Sequence, residues 1–543
     1  MPGTDSVGLD PSPTPSPIPT TASTVGSSEA SAHPQKQETT RETVESLVLT
    51  IILFLILGFE TQAMVIPTGS MATTLLGDHK EVVCPQCGQL YSVNARQESE
   101  PNSMGEVRPQ SRWIVSGTCV NCRYPARIDD QPTFRGDRIM VMKTPVNQPS
   151  LPGGGLHRWD CVVFYYPEDP QVRYIKRLIG LPGETIRLHA GDVFVQPIDS
   201  KEPFKLARRS LGHQSAMQVL VNDDRHRAAL LADDPRWRRW VGAWSELEPG
   251  TYRPDARGEW LELSYRHLVP TPDQWSALEK GRPLPSPPRP SLITDFQSYN
   301  TDLTADGVED PRQAARAWYQ PHWVGDLTLE CRLRVHSPRG QARIELTRGG
   351  VIYRCLIDLA NGQARFYVDD QPLGDSVATP ITNAGTYRLV FANVDERLTL
   401  WVNGRTPFGD GVAHGDGTGP RPRPTASDLT PATIATKGAD VSLSGLVLKR
   451  DVYYTRNPAR SDYDDHWSRV PWDSASLFEI LSEPLEFQGL DPGEPRDFPI
   501  RPGHYFFMGD NSPWSKDARA WGLLDQLDPD FPGRGWANAH REP

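Results

Sequence analysis

For a chain of 543 residues, this sequence has few cysteines, no dense basic stripe and only one long apolar run. Seven cysteines are too few for a disulfide scaffold at this size. Lys and Arg number 57 against 68 Asp and Glu, a formal net charge of −11, which argues against a nucleic-acid partner. Several hydrolytic signatures are missing as well. There is no HExxH helix, no GxSxG elbow, and Thr73 stands three residues after Ser70 where an SxxK enzyme has lysine. Proline (52) and glycine (44) are abundant, which points to many turns and favours a mainly β architecture. The length suits about three domains.

Residues 1–44 are rich in Ser, Thr and Pro, with almost no large apolar side chains, and are expected to be a disordered tail. Ser46–Phe59 is uncharged and apolar but shorter than the ~20 residues that cross a bilayer. Continuation through Glu60 to Ile66 supplies the missing length, so a single-pass transmembrane anchor is predicted over 45–65. A cleavable signal sequence is the rival reading; the run starts far into the chain and lacks a basic cluster before it. Lys36 and Arg41 place the N-terminus in the cytoplasm by the positive-inside rule.

Cys84-x-x-Cys87 and Cys119-x-x-Cys122 have the layout of a zinc ribbon with two knuckles, predicting an inserted module over 81–130. Each turn aims two sulfurs at one point, so four thiolates close a tetrahedron around structural Zn²⁺ and leave no open position for catalysis. A pair of disulfides is the alternative. Residues 201–290 are a mixed insertion and linker. Their Arg236–Trp240 stretch is expected to form an amphipathic helix with the tryptophans inward. Short alternating segments between Leu327 and Lys449, separated by turns such as Asn361-Gly362 and Asn403-Gly404, predict an all-β sandwich over 291–456. Cys331 and Cys355 pair only if their strands are neighbours. Cys161, inside an apolar strand, reads as a core residue.

Three separated segments carry chemistry. Ile66-Pro67-Thr68-Gly69-Ser70-Met71 follows the apolar run; Tyr174 to Gly183 sets Lys176 in a strand-like apolar stretch; and Gly509 to Arg519 is a dense polar turn. Singly they are weak, since exposed serines are mostly solvated hydroxyls and a strand lysine often guards an edge. Jointly, with Arg135-Gly136-Asp137-Arg138 between them, they resemble the type I signal peptidases, membrane-anchored serine/lysine proteases. The matching parts lie at about 47–80, 133–196 and 484–522.

The resemblance implies a β catalytic core split by insertions into 66–80, 131–200 and 457–543. Ser70 would be the nucleophile and Lys176 the general base, its ammonium disfavoured by burial. Thr68 would supply an oxyanion-hole hydroxyl and Ser515 would orient the lysine. Asp517 and Arg519 would brace the turn, with Ala518 where serine is common; Asp160 and Arg177 read as structural. Catalysis would need no cofactor. The implied activity is removal of signal peptides from exported preproteins, with the catalytic part extracytoplasmic at the plasma membrane. After Gly522 the family's closing apolar strand is not evident; either the sheet is completed differently or the sequence is truncated. Pieces such as Tyr387–Phe391 and Leu398–Gly404 resemble a concanavalin/laminin-G jelly roll, implying a glycan or protein ligand. The alternative function is a degenerate enzyme serving as an anchored glycan- or protein-binding module.

Overall fold

The computed structural model describes residues 35–99, 113–143, 155–166, 169–255, 258–309, 313, 320–457, 462–463, 474–490 and 493–521. It divides into two compact units, 1–61 and 62–543. Most of the expected tail, residues 144–154 and the segment after Trp521 lie outside the described residues.

The first unit contains the helix Gln35–Glu60, 26 residues long. It begins inside the stretch expected to be disordered. It carries Leu47, Leu49, Ile51, Leu53 and Phe54 exposed. The expected continuation of the apolar run to Ile66 does not occur, because Thr61–Val65 is extended as a strand. The polar Glu60, Thr61 and Gln62 end the apolar run, and the strand Thr61–Val65 pairs with Arg138–Met142. No described helix is long and apolar enough to cross a membrane.

The second unit is mainly β. Phe506–Met508, Asp169–Gly180 and Cys161–Tyr166 form a three-stranded antiparallel sheet with the long strand central. Beside it lies a four-stranded sheet in the order Lys205–Leu206, Asp192–Pro197, Glu184–His189, Arg496–Pro499. Their apolar faces share a core of Trp159, Ile179, Ile186, Leu188, Tyr454, Phe506 and Met508. Segments more than 300 residues apart therefore meet in one core, with the long insertion running between them. Cys161 is exposed rather than buried: on its half-covered strand the alternation turns Val162 inward instead.

The insertion folds as two antiparallel sheets around a large apolar core that includes Leu329, Ile344, Phe366, Phe391 and Leu443. One sheet is centred on Leu327–Ser337, Gly385–Val394 and Asp440–Arg450; the other on Gln341–Arg348, Val351–Asp358 and Ala432–Lys437. Strands from before residue 291 join both, among them Val219–Asp223, Thr251–Pro254 and Leu261–Tyr265. The Trp/Arg stretch forms a short 3-10 turn, Pro235–Trp237, and a strand, Trp240–Gly242, in place of the expected helix. Trp237 and Trp240 are nonetheless buried: burial of the indoles decides the packing, and Trp240–Gly242 is drawn into a sheet by pairing with Leu263–Tyr265. Cys331 and Cys355 lie on different sheets and are both free.

Two further three-stranded sheets hold the CxxC segments. One is Leu90–Asn94, His79–Val83, Thr133–Phe134; the other is Leu303–Thr304, Ile114–Thr118, Pro125–Arg127. Lys80, almost fully buried, joins them: its Nζ donates to the Ile114 and Ile128 carbonyls and pairs with Glu98 at 3.0 Å.

Candidate active site

Ser70 sits in a single 3-10 turn, Gly69–Met71, entered from the extended Thr68. Proline at 67 stiffens the approach, and buried Met71 anchors the exit. Lys176 belongs to the inner half of Asp169–Gly180, opposite Val162. Outward residues 171–173 of that strand are exposed, whereas 176–180 are buried. Ser70 Oγ and Lys176 Nζ, 106 residues apart in sequence, are hydrogen-bonded. Lys176 is only 4% exposed. Burial disfavours its ammonium and pulls its pKa down to about 8, with Arg519 helping and the carboxylates of Asp517 and Asp510 opposing.

The polar turn after Met508 packs against the serine. The Asn511 backbone N–H donates to the Ser70 carbonyl at 3.1 Å. Gly509 must be glycine, since a Cβ there would run into the Ser70 carbonyl and Ser515 Oγ. Asp517 accepts from the Gly509 N–H at 3.1 Å and from Arg519 Nε and Nη2 at 2.8 and 2.7 Å. Arg519 in turn donates to Thr455 and Ser512. This pair sets the shape of the turn. Ser515 is buried in the same turn, and its hydroxyl has no hydrogen-bond partner among the described residues, so no bond to Lys176 is present. Thr68, two residues before Ser70, keeps its side chain at the surface.

Behind the dyad, Arg177 faces away from Lys176 and makes a two-pronged pair with Asp510 at 2.7 and 2.5 Å, with both side chains buried. Burial alone would push the Asp510 carboxyl up; the Arg177 charge and hydrogen bonds overcome it and hold the group below its usual range. Asp160 caps the preceding turn, accepting from the His157 N–H at 2.8 Å. Two residues gave no functional signal in the sequence. Gln297 and Asn300, deep in the insertion, donate to Asn511 Oδ1 at 2.5 and 2.7 Å.

The four cysteines converge as well. Cys84 and Cys122 Sγ are 3.5 Å apart, Cys87 and Cys119 3.7 Å, and all four sulfurs lie within 4.8 Å of one another. A tetrahedron of thiolates with Zn–S near 2.3 Å has edges of about 3.8 Å, whereas a disulfide needs about 2.05 Å. All four are free. Each pair sits in the same kind of loop: the Gly88 and Arg123 N–H groups donate to the Cys84 and Cys119 carbonyls, and both residues take positive φ.

A serine hydroxyl hydrogen-bonded to a desolvated lysine is an arrangement that can support nucleophilic chemistry. Residues 119–230 and 431–528 match the model of the family described as signal peptidase, peptidase S26. Those stretches hold Lys176, Ser515, Asp517 and Arg519; Ser70 lies outside them. The chain is 31% identical over 115 residues to signal peptidase I of Pseudomonas aeruginosa, covering 20% of this chain and 38% of that protein. It is 41% identical over 59 residues to signal peptidase I of Pseudomonas fluorescens, covering 10% and 21%. It thus spans well under half the length of these curated relatives. Among solved structures, the CBM66 carbohydrate-binding module of Bacillus subtilis aligns at 10% identity, over 39% of this chain and 96% of that one, with a TM-score of 0.22. Galectin LEC-6 of Caenorhabditis elegans aligns at 15% identity over 23% and 83%, with a TM-score of 0.18. Scores this low carry no argument.

Proposed function

We propose that this protein is a signal peptidase of the serine/lysine type, cleaving signal peptides from exported preproteins. The observation that carries the reading is the buried Lys176 amine on Ser70 Oγ. With its pKa near 8, a usable fraction of Lys176 is free amine at neutral pH. The free amine accepts the Ser70 proton as Oγ attacks the scissile carbonyl, giving a tetrahedral oxyanion and then an acyl-enzyme. The same lysine, now ammonium, returns its proton to the leaving amine, and a water activated by the regenerated amine releases the product. The Ser70 N–H and the surface hydroxyl of Thr68 are assigned to the oxyanion. The Ser515 hydroxyl, without a hydrogen-bond partner among the described residues, is assigned to turn to Lys176 and orient it during the reaction.

Membrane attachment is assigned to the helix Gln35–Glu60, whose exposed apolar side chains suit lipid better than water. The full chain in detergent is expected to cut a model preprotein after a small residue, and Ser70→Ala is expected to abolish the cut. Cleavage that survives Ser70→Ala ends this reading.

We further infer that Cys84, Cys87, Cys119 and Cys122 hold a structural Zn²⁺, on the strength of their sulfur spacing and free thiols. Metal analysis should find one zinc per chain. Cys84→Ser should lower that content and cost several kcal/mol of stability, because binding energy in such sites is folding energy. Zinc-free protein whose thiols titrate only after reduction would instead establish disulfides.

A further inference from the structure

The long insertion does more than decorate the protease-like core, because one of its segments reaches the turn that carries the serine. Residues 295–302 are fastened at both ends. On the sandwich side, the Asp295 N–H donates to the His322 carbonyl at 2.8 Å, and Gln320 Nε2 donates to the Gln297 carbonyl at 3.3 Å. On the cysteine-cluster side, the Thr118 N–H donates to Thr301 Oγ1 at 2.8 Å and Asn94 Nδ2 to Asp302 at 3.1 Å. Between these fixings the chain makes a 3-10 turn, Ser298–Asn300.

That turn contacts the serine loop in two ways. The ring of Tyr299 lies where a Cβ on residue 69 would be, so Gly69 lets the two backbones approach. The second contact runs through Asn511. Its Oδ1 accepts from Gln297 Nε2 and Asn300 Nδ2, while its Nδ2 donates to the Asn300 Oδ1 at 2.7 Å and to the Gly69 carbonyl at 3.0 Å. All four hydrogen-bonding places of the amide are filled, so it has one orientation. In that orientation Asn511 grips two consecutive carbonyls, Gly69 by its side chain and Ser70 by its backbone N–H. Buried polar networks satisfied to this degree hold their members rigidly.

We propose that Gln297 and Asn300 are positioning residues: acting through Asn511, they hold the Gly69–Ser70 backbone so that Ser70 Oγ stays on Lys176. The inserted sandwich is thereby a working part of the active site. This rests on the reading of Ser70 as nucleophile. Neither residue touches the reacting atoms, so the effect falls on attack rather than on substrate binding.

The test is steady-state and pre-steady-state cleavage of a model preprotein by the full chain in detergent. Wild type is compared with Ser70→Ala, the double variant Gln297→Ala/Asn300→Ala, and the isosteric Asn300→Asp. The double variant is expected to lose about 10–100-fold in kcat and in the acylation burst, with KM changed less than about twofold, as small misplacements of a nucleophile do. Asn300→Asp keeps volume but faces an acceptor with an acceptor; it should lower kcat in the same direction, and its Tm shows that the fold survives. The kcat pH profile should keep its inflection, since Lys176 is untouched. Ser70-dependent cleavage by wild type with wild-type kcat in a folded Asn300→Asp and double variant overturns the inference alone. Cleavage indifferent to Ser70→Ala takes the parent reading down with it.

Discussion

Lys176→Met should lower cleavage by at least about 10³-fold and at the same time make the protein more stable at pH 7. The two effects have one cause. A lysine in water titrates near 10.5, and burial brings Lys176 down to about 8. That difference corresponds to about 3 kcal/mol at 1.36 kcal/mol for each tenfold step. Because the folded-state value is the lower one, the unfolded chain binds more protons between about pH 8 and 10.5. Stability from this group therefore rises with pH through that window, and the full penalty applies below pH 8. Methionine fills the same space without the charge and removes the penalty. For the same reason wild-type kcat/KM should rise about tenfold from pH 7 to pH 9, tracking the free amine. Thermal melts of both proteins at pH 7 and 10 check the sign: the gap between them should shrink as pH rises. A methionine variant less stable than wild type at pH 7 would show that the buried amine is stabilised by its neighbours rather than strained.

The second large effect is on the fold. Asp510→Asn should destabilise the protein by about 3–5 kcal/mol, because it leaves the buried Arg177 guanidinium without its counter-charge. The loss would spread, since Arg177 also donates to the Trp159 carbonyl and Asp510 accepts from Tyr454 OH. Asp510 is held below its ordinary range in the folded state, so its contribution is present above about pH 4 and lost as pH falls through the folded value. Wild type should therefore lose stability on acidification partly through this group, and Asp510→Asn should lack that portion of the acid transition. Replacing both partners, Arg177→Met with Asp510→Leu, should recover much of the loss. Denaturant unfolding at pH 7 and pH 3.5 separates these outcomes; equal stability of Asp510→Asn and wild type at pH 7 would falsify the assignment.

Much of the site was legible because its parts are local. The proline-stiffened approach to Ser70, the apolar setting of Lys176 and the Asp517–Arg519 pair each lie within a few residues, and a short stretch of side chains dictates each of them. The cysteine pairs were legible for the same reason. Reading failed where the deciding partner was distant. Gln297, Asn300 and Asn511 look like ordinary turn residues until the fold joins them. Cys161 was misread because strand alternation does not say which face is covered. The strand Gln371–Ala378, with Pro372 and Gly374, and the small-residue strand Ala432–Lys437 have weak local signals; neighbouring strands make them strands.

By itself, then, the sequence determined the kinds of chemistry available: a hydroxyl after a stiffened turn, a lysine in an apolar strand, four thiols in paired knuckles, and a β-rich insertion. Spacing and hydropathy encode these directly, and they need no knowledge of distant contacts. Tertiary structure alone decided that Lys176 loses its water and reaches Ser70, that the apolar helix stops at Glu60, and that the inserted sandwich sends residues 297–300 to the serine turn. Desolvation, helix termination by strand pairing and hydrogen-bond saturation all depend on groups tens to hundreds of residues away, and only folding brings those groups within a few ångströms.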